Sequence, residues 1–197
     1  HARRSAQTAL WHITASMLRL MAPFLSFTAE EAFKIFSPNA TGTIFTETYH
    51  QVPEIAGSPE LLARWSTLRR IRSAVLKQIE NERANGVIGS SLQAEVTISC
   101  PEDTANYLNK LGDELRFILI TSRATVHADP KLREFGGGPE DTQHLYIEVT
   151  ASAHDKCERC WHYRADVGVH EKQAEHPQLC GRCVSNLFGT GEPREHA

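Results

Sequence analysis

An α+β fold is predicted for this 197-residue chain. Three observations predict it. Residues 5–36 and 58–84 carry apolar side chains at three- and four-residue spacing, the signature of amphipathic helices. Between Leu92 and Thr150 the period shortens toward two, which is the strand pattern. The remainder, from Lys156 onward, is polar and glycine-bearing, with four cysteines in two C-x-x-C pairs. The expected organisation is a helical bundle over 1–90, a small α/β subdomain over 91–152, and a zinc-knuckle tail over 153–197.

In the first helix Leu10, Ile13, Thr14, Met17, Leu18 and Met21 form one apolar stripe. Pro23 ends it, because the residue before a proline is pushed out of the helical region. Thr28 is expected to open a second helix, with Glu31 completing a capping box and Phe33 and Phe36 on its apolar side. Glu30 and Glu31 then read as first-turn charge. Residues 37–58 hold Pro38, Gly42, Pro53 and Gly57 around a strand-like Thr43–Tyr49 segment.

The third helix has the fullest set of signals. Ser58 suits the N-cap, Pro59 the first helical position and Glu60 the positive end of the dipole. Leu61, Trp65, Leu68, Ile71, Val75, Leu76 and Ile79 share a face; Arg64, Arg69, Arg70, Arg72 and Lys77 lie mostly off it. Asn85-Gly86 is the stop. Ala94–Cys100 and Leu145–Thr150 alternate as strands, Phe117–Val126 is β-branched at both ends, and Thr104–Leu115 reads as a helix, giving β-α-β-loop-β. Gly136-Gly137-Gly138-Pro139 lacks the strand-then-helix context of a phosphate loop and reads as a turn or surface loop.

Charge and length exclude several classes. The net charge of −3 is not that of a chain that binds nucleic acid by bulk charge. No apolar run reaches the roughly 20 residues of a membrane span. The chain starts inside a helical pattern, without an initiator Met or signal-peptide core, and reads as a piece of a longer protein. No Ser/His/Asp ordering, Walker-type loop or G-x-G-x-x-G occurs, so no catalytic residue is expected within it.

The chemistry is concentrated in the tail. Cys157 and Cys160 form one pair and Cys180 and Cys183 the other, with 19 residues between them. Each C-x-x-C turn puts two sulfurs on one side, and two such turns make a tetrahedron suited to one zinc per chain. A four-sulfur shell leaves no open position for water, so the metal is structural. Iron fits the same cage. Two disulfides need an oxidising compartment, and a redox pair needs a βαβ context. Cys100 reads as a small buried hydrophobe. His154, His162, His170 and His176 read as solvated loop histidines. Arg159 and Arg182 lie inside the knuckles, and Trp161, His162 and Tyr163 follow the first. Cations beside aromatic faces are what stacking on unpaired bases requires, while packing of Trp161 over the zinc loops is the alternative.

The string CERCWHY…LCGRCVSNLFGTGE resembles the zinc-binding tail of bacterial isoleucyl-tRNA synthetases. MAPFLSFTAEEAF is similar to part of the helical anticodon-binding domain of the class I synthetases for Ile, Val and Leu. LRRIRSAVLKQIENERANGVIGSSLQAEVTI is similar to the helix-to-strand stretch that follows in the isoleucine enzymes. The resemblance implies a cytoplasmic, monomeric ligase joining isoleucine to its tRNA with ATP and Mg. Its catalytic and editing domains would lie upstream, leaving this piece inactive alone. It further implies a tRNA-binding module with zinc near the anticodon, for which Arg159, Trp161, His162, Arg182, Arg69 and Arg72 are the candidate contacts. Two other readings accommodate the cysteines: a zinc-ribbon nucleic-acid module of another kind, and a zinc-held protein–protein docking domain.

Overall fold

The computed structural model describes residues 2–132, 144–172 and 174–192. The Gly136–Pro139 stretch, expected as a turn or surface loop, lies outside the described residues. The architecture is α+β, with six helices and one three-stranded mixed sheet among the described residues. The chain divides into two compact units, His1–Pro59 and Glu60–Ala197.

In the first unit, α1 (Ala2–Met21) is followed by α2 (Ser26–Phe36) and a single 3-10 turn, Ile44–Thr46. Pro23 does end α1 as expected. The predicted stripe of α1 is buried only in part: Leu18 is in the core and Met21 packs against it. Leu10, Ile13 and Met17 are exposed, while Ala15, Leu18 and Ala22 are buried. Small side chains on that side let α2 approach, so that Leu18 and Ala22 share a core with Ala29, Phe33 and Ile44.

The expected Thr28–Glu31 capping box is absent. α2 begins two residues earlier, at Ser26, and no side chain caps its N-terminus. The Ser26 hydroxyl instead donates back to the Ala22 carbonyl at 3.0 Å. Glu30 is not merely first-turn charge either: its carboxylate accepts from the Thr43 hydroxyl at 2.8 Å and the Ile44 amide at 2.9 Å. Those bonds cap a 3-10 turn where a strand was expected over Thr43–Tyr49. A carboxylate aimed at the first amide of a turn satisfies a group that a strand would need a partner to satisfy.

In the second unit, α3 (Ser58–Ala84) spans the expected stretch, but Ser58 is its first residue and not its N-cap, its hydroxyl donating to the Ile55 carbonyl at 2.6 Å. The helix stops before Gly86, whose φ of +75° is the left-handed conformation glycine adopts freely. Leu68, Ile71, Val75 and Ile79 recur at three- and four-residue spacing and are buried. Leu61 is 49% and Trp65 37% exposed, so the predicted face is buried only over its C-terminal two-thirds. Although grouped by sequence with the preceding helices, α3 shares its core with the sheet: its four buried residues cluster with Ile88, Val96, Ile98, Leu108, Leu115 and Val149.

The sheet has the order β2-β1-β3. β1 (Ala94–Cys100) is central, parallel to β2 (Arg123–Ala128) and antiparallel to β3 (Tyr146–Ala151). Its residues alternate between buried and half-buried, as a period of two requires. Cys100 is fully buried at its end, as expected. Between β1 and β2 come α4 (Glu102–Asn109), a 3-10 turn and α5 (Leu115–Leu119). The strand expected to begin at Phe117 therefore begins at Arg123. Leu115 and Leu119, four residues apart, are both buried, and a helix is what brings that spacing to one side. No helix among the described residues is long and apolar enough to cross a membrane.

Candidate metal centre and the seam beside it

The two knuckles fold as the spacing predicts. In the first, the Trp161 amide donates to the Cys157 carbonyl at 2.8 Å and the Cys157 amide to the His162 carbonyl at 2.9 Å, closing the turn around Cys160. The second opens α6 (Gly181–Phe188), so Cys180 precedes the helix and Cys183 lies in its first turn. The Asp166 carboxylate accepts from the Gly181 amide at 3.1 Å, placing a negative charge at the positive end of α6. Gly168, at φ +68°, allows the linking loop to pass close by: a Cβ there would meet the Pro177 carbonyl oxygen at 2.7 Å. His170 Nε2 faces the carbonyls of His176 and Leu179 at 3.0 and 2.9 Å, so that nitrogen carries the proton and ties the loop together.

This framework brings the sulfurs of Cys157, Cys160, Cys180 and Cys183 within 4.8 Å of one another. A tetrahedron of zinc–sulfur bonds of about 2.3 Å has edges of roughly 3.8 Å. The Cys160–Cys180 sulfur separation is 3.8 Å. Cys157, Cys180 and Cys183 are buried. Two donors point at the cage from outside: the Cys180 amide reaches the Cys157 sulfur at 3.4 Å, and Arg159 Nη1 reaches the Cys183 sulfur at 3.6 Å. Such donors favour thiolate over thiol. The Cys180–Cys160 hydrogen bond separates two otherwise equivalent thiols. It holds Cys160 far below the ordinary thiol range and raises Cys180, to which burial adds. Burial also raises Cys183. Sulfurs competing for protons at this spacing are a donor set that a dication satisfies, because a coordinating thiol is deprotonated outright.

The tail is fastened to the α/β layer along one seam. Phe117, on α5, is its centre: Arg182 lies 4.7 Å and Arg116 4.1 Å from its ring centroid, and His162 meets it edge-on at 5.6 Å. The Tyr163 amide donates to the Ser122 hydroxyl at 2.6 Å, and Arg164 approaches Asp113 at 3.6 Å.

These contacts sort the expected RNA-binding residues. Trp161 is 59% exposed, with Lys156 Nζ 5.6 Å from its ring, and Arg159, exposed, is the residue whose Nη1 reaches the Cys183 sulfur. Arg69 is exposed and Arg72 half-buried on α3. His162, also expected as a solvated loop histidine, is only 8% exposed. Its Nδ1 lies 3.1 Å from the Cys160 carbonyl, and its ring is spent on Phe117. Arg182 bonds Glu192 at 2.5 Å and covers Phe117. Both are internal props of the seam. Sequence reasoning missed Phe117, Ser122 and Asp166, none of which belongs to a motif.

Residues 1–98 match the anticodon-binding domain of tRNA ligase, and residues 155–186 match the zinc finger found in FPG and IleRS. An isoleucine–tRNA ligase of Cupriavidus taiwanensis is 54% identical over 198 residues, all of this chain and 19% of that protein. The whole chain is similar to one stretch of isoleucine–tRNA ligases. Similar relatives are the isoleucine–tRNA ligases of Bordetella avium, 53% identical over 205 residues, and Burkholderia cenocepacia, 54% identical over 197. Each match takes in the whole chain and 20% or 19% of the relative. The chain thus spans about a fifth of the length of the curated ligases it matches. The four-sulfur cage falls inside the zinc-finger match, and the donor set fits a structural zinc ion. α1, α2 and α3 fall inside the anticodon-binding match.

Proposed function

We propose that this chain is the tRNA-binding module of an isoleucine–tRNA ligase, specific for the isoleucine acceptor, with one zinc per chain held by Cys157, Cys160, Cys180 and Cys183. The observation that carries the reading is the exposed Trp161 indole immediately after a metal ligand, with Lys156 Nζ 5.6 Å from its ring. Zinc fixes the backbone on which that indole stands, so a stacking surface is ready before RNA arrives, which lowers the ordering cost of binding. Arg69 and Arg72 on α3 supply phosphate contacts, which give affinity without sequence information. Arg182 and His162 contribute by holding the knuckle on its support.

In functional terms we assign 1–90 to anticodon binding, 91–152 to the connector and 153–197 to the zinc tail. The ligase reaction itself, with its ATP and Mg, belongs to the parts of the relatives outside this chain, and we place the parent in the cytoplasm as a monomer. The test is filter binding of isoleucine and valine tRNAs across a salt series. Preference for isoleucine tRNA is expected, with affinity falling steeply as salt rises. Arg69→Glu with Arg72→Glu should lower the slope of log K against log salt by about 2. Absence of tRNA binding at low salt would refute the proposal and favour a protein-docking role.

A further inference from the structure

The four sulfurs of the cage are not equally sheltered. Cys157, Cys180 and Cys183 are buried, whereas Cys160 is half-buried. The residues around it in the chain, Glu158, Arg159 and Trp161, are all exposed. The end of the first knuckle therefore lies at the surface, and the other three ligands lie beneath it. The fifth cysteine, Cys100, is buried at the end of β1 and stands outside the cage.

Exposure matters here because of charge. A thiol that coordinates a metal is deprotonated, and thiolate rather than thiol is the species that electrophiles meet. Among the five cysteines, Cys160 alone combines membership of the donor set with access for a small reagent. A partner for it is at hand: the Cys180 sulfur, in the second knuckle, is 3.8 Å away. A disulfide brings two sulfurs to about 2.05 Å, so a closure of about 1.8 Å joins this pair. Trp161 follows Cys160 directly, and its amide donates to the Cys157 carbonyl within the same turn. A reaction at Cys160 thus acts first on the backbone that carries the indole.

We propose that Cys160 is a modification site, the point at which a peroxide oxidises the cage, and that Cys180 resolves it. Zinc is then released, and with it the hold on Trp161. This rests on the zinc and tRNA-binding reading above and adds to it a redox control of the same site. The Cys160 thiolate attacks the O–O bond of hydrogen peroxide; an S–O bond forms, and the leaving hydroxide takes up a proton to become water. The Cys180 thiolate then attacks the oxidised Cys160 sulfur. An S–S bond forms, the S–O bond breaks, and a second hydroxide is protonated to water. The two sulfurs together lose two electrons, the peroxide gains them, and two protons are consumed.

The test begins with iodoacetamide on the zinc-loaded chain, followed by peptide mass spectrometry. Cys160 should be labelled first and Cys100 should stay unlabelled. Hydrogen peroxide on a second sample should release about one zinc per chain, read with a colorimetric chelator, in step with a Cys160–Cys180 disulfide. Binding of isoleucine tRNA should fall about tenfold and return after thiol reduction and added zinc. Cys160→His keeps a zinc ligand but removes the thiolate, and should slow peroxide-driven zinc release about tenfold. First labelling at Cys157, Cys180 or Cys183 would overturn the proposal. So would a first disulfide that omits Cys160 or Cys180, release from Cys160→His at the parent rate, or tRNA binding unchanged after zinc is lost. An untreated chain that holds no zinc, or that binds no tRNA, would instead overturn the reading on which the proposal rests.

Discussion

Replacing Cys180 by Ser should melt the tail and leave the rest of the chain folded. The apolar cluster that holds the knuckles consists of Cys157, Cys180 and Cys183, with Cys160, Val167 and Leu179 packed against it. Only Val167 and Leu179 are not cysteines, and both are half-buried. Full burial of two such side chains contributes about 3–6 kcal/mol, so partial burial contributes less. Structural zinc in comparable peptides is worth about 10–16 kcal/mol near neutral pH. The metal therefore outweighs the tail's own core by more than a factor of two. Losing one of four thiolates should reduce bound zinc from one per chain to none after dialysis against a mild chelator. The loss should stay local, because the sixteen-residue core around α3 and the sheet is a separate cluster. Far-UV circular dichroism should fall only slightly, since α6 has 8 residues and α3 alone has 27. Limited proteolysis should begin to cut between 155 and 186. Full zinc retention with an uncut tail would refute the four-sulfur assignment; collapse of the whole helical signal would refute the independence of the two cores.

Three further outcomes are expected. The Ile44 amide and the Thr43 hydroxyl hold the Glu30 carboxyl below its ordinary range. Its folded value is thus below its unfolded one, so its stabilisation is present above about pH 4.5 and is lost as pH falls through the lower folded value. Glu30→Gln should then lower the thermal midpoint at pH 7 and change it little at strongly acid pH; an equal loss at both would mean the carboxylate charge is irrelevant. Gly168→Ala should weaken the tail by at least the 1–2 kcal/mol of a left-handed alanine, with the Pro177 carbonyl clash added, read as faster zinc loss to a chelator. Phe117→Leu keeps apolar bulk but removes the ring that meets Arg182 and His162. It should cost about 1–2 kcal/mol of docking, seen as faster amide hydrogen exchange over 160–164 with zinc unchanged.

What the sequence made legible is what local chemistry enforces. The four cysteines were readable because metal ligation demands a residue type at a spacing. α3 was readable from its glycine stop and its apolar period, and β1 was placed at both ends by alternation alone. Errors arose where a distant partner decides. Thr43–Tyr49 has strand composition, yet Glu30, thirteen residues before Thr43, captures the Ile44 amide and the Thr43 hydroxyl. Residues 117–122 look β-branched, yet Leu115 and Leu119 are pulled onto one core and make a helix. His162 was read as solvated because nothing in CERCWHY reveals that Phe117, forty-five residues earlier, waits for its ring.

The left-handed residues take this argument one step further. The first knuckle turn places Trp161 at φ +64° after Cys160, and α5 is followed by Ile120 at φ +59°. Glycine would satisfy both at no steric cost. The chain places tryptophan and isoleucine there instead, and the seam of Phe117, Ser122, Tyr163 and His162 holds both against the strain. Ile120 is 43% and Trp161 59% exposed, so the apolar area each still buries is of the same order as the roughly 1–2 kcal/mol left-handed penalty. The same seam also requires the zinc cage, since His162 and Tyr163 are oriented by the turn that Cys157 and Cys160 close. Zinc, clasp and strained side chains thus form one dependent series. The metal fixes the turn, the turn docks on Phe117, and the Trp161 indole is left 59% exposed with Lys156 Nζ 5.6 Å from its ring. A role for the metal confined to the stability of the tail accounts for the first two steps and not for the third.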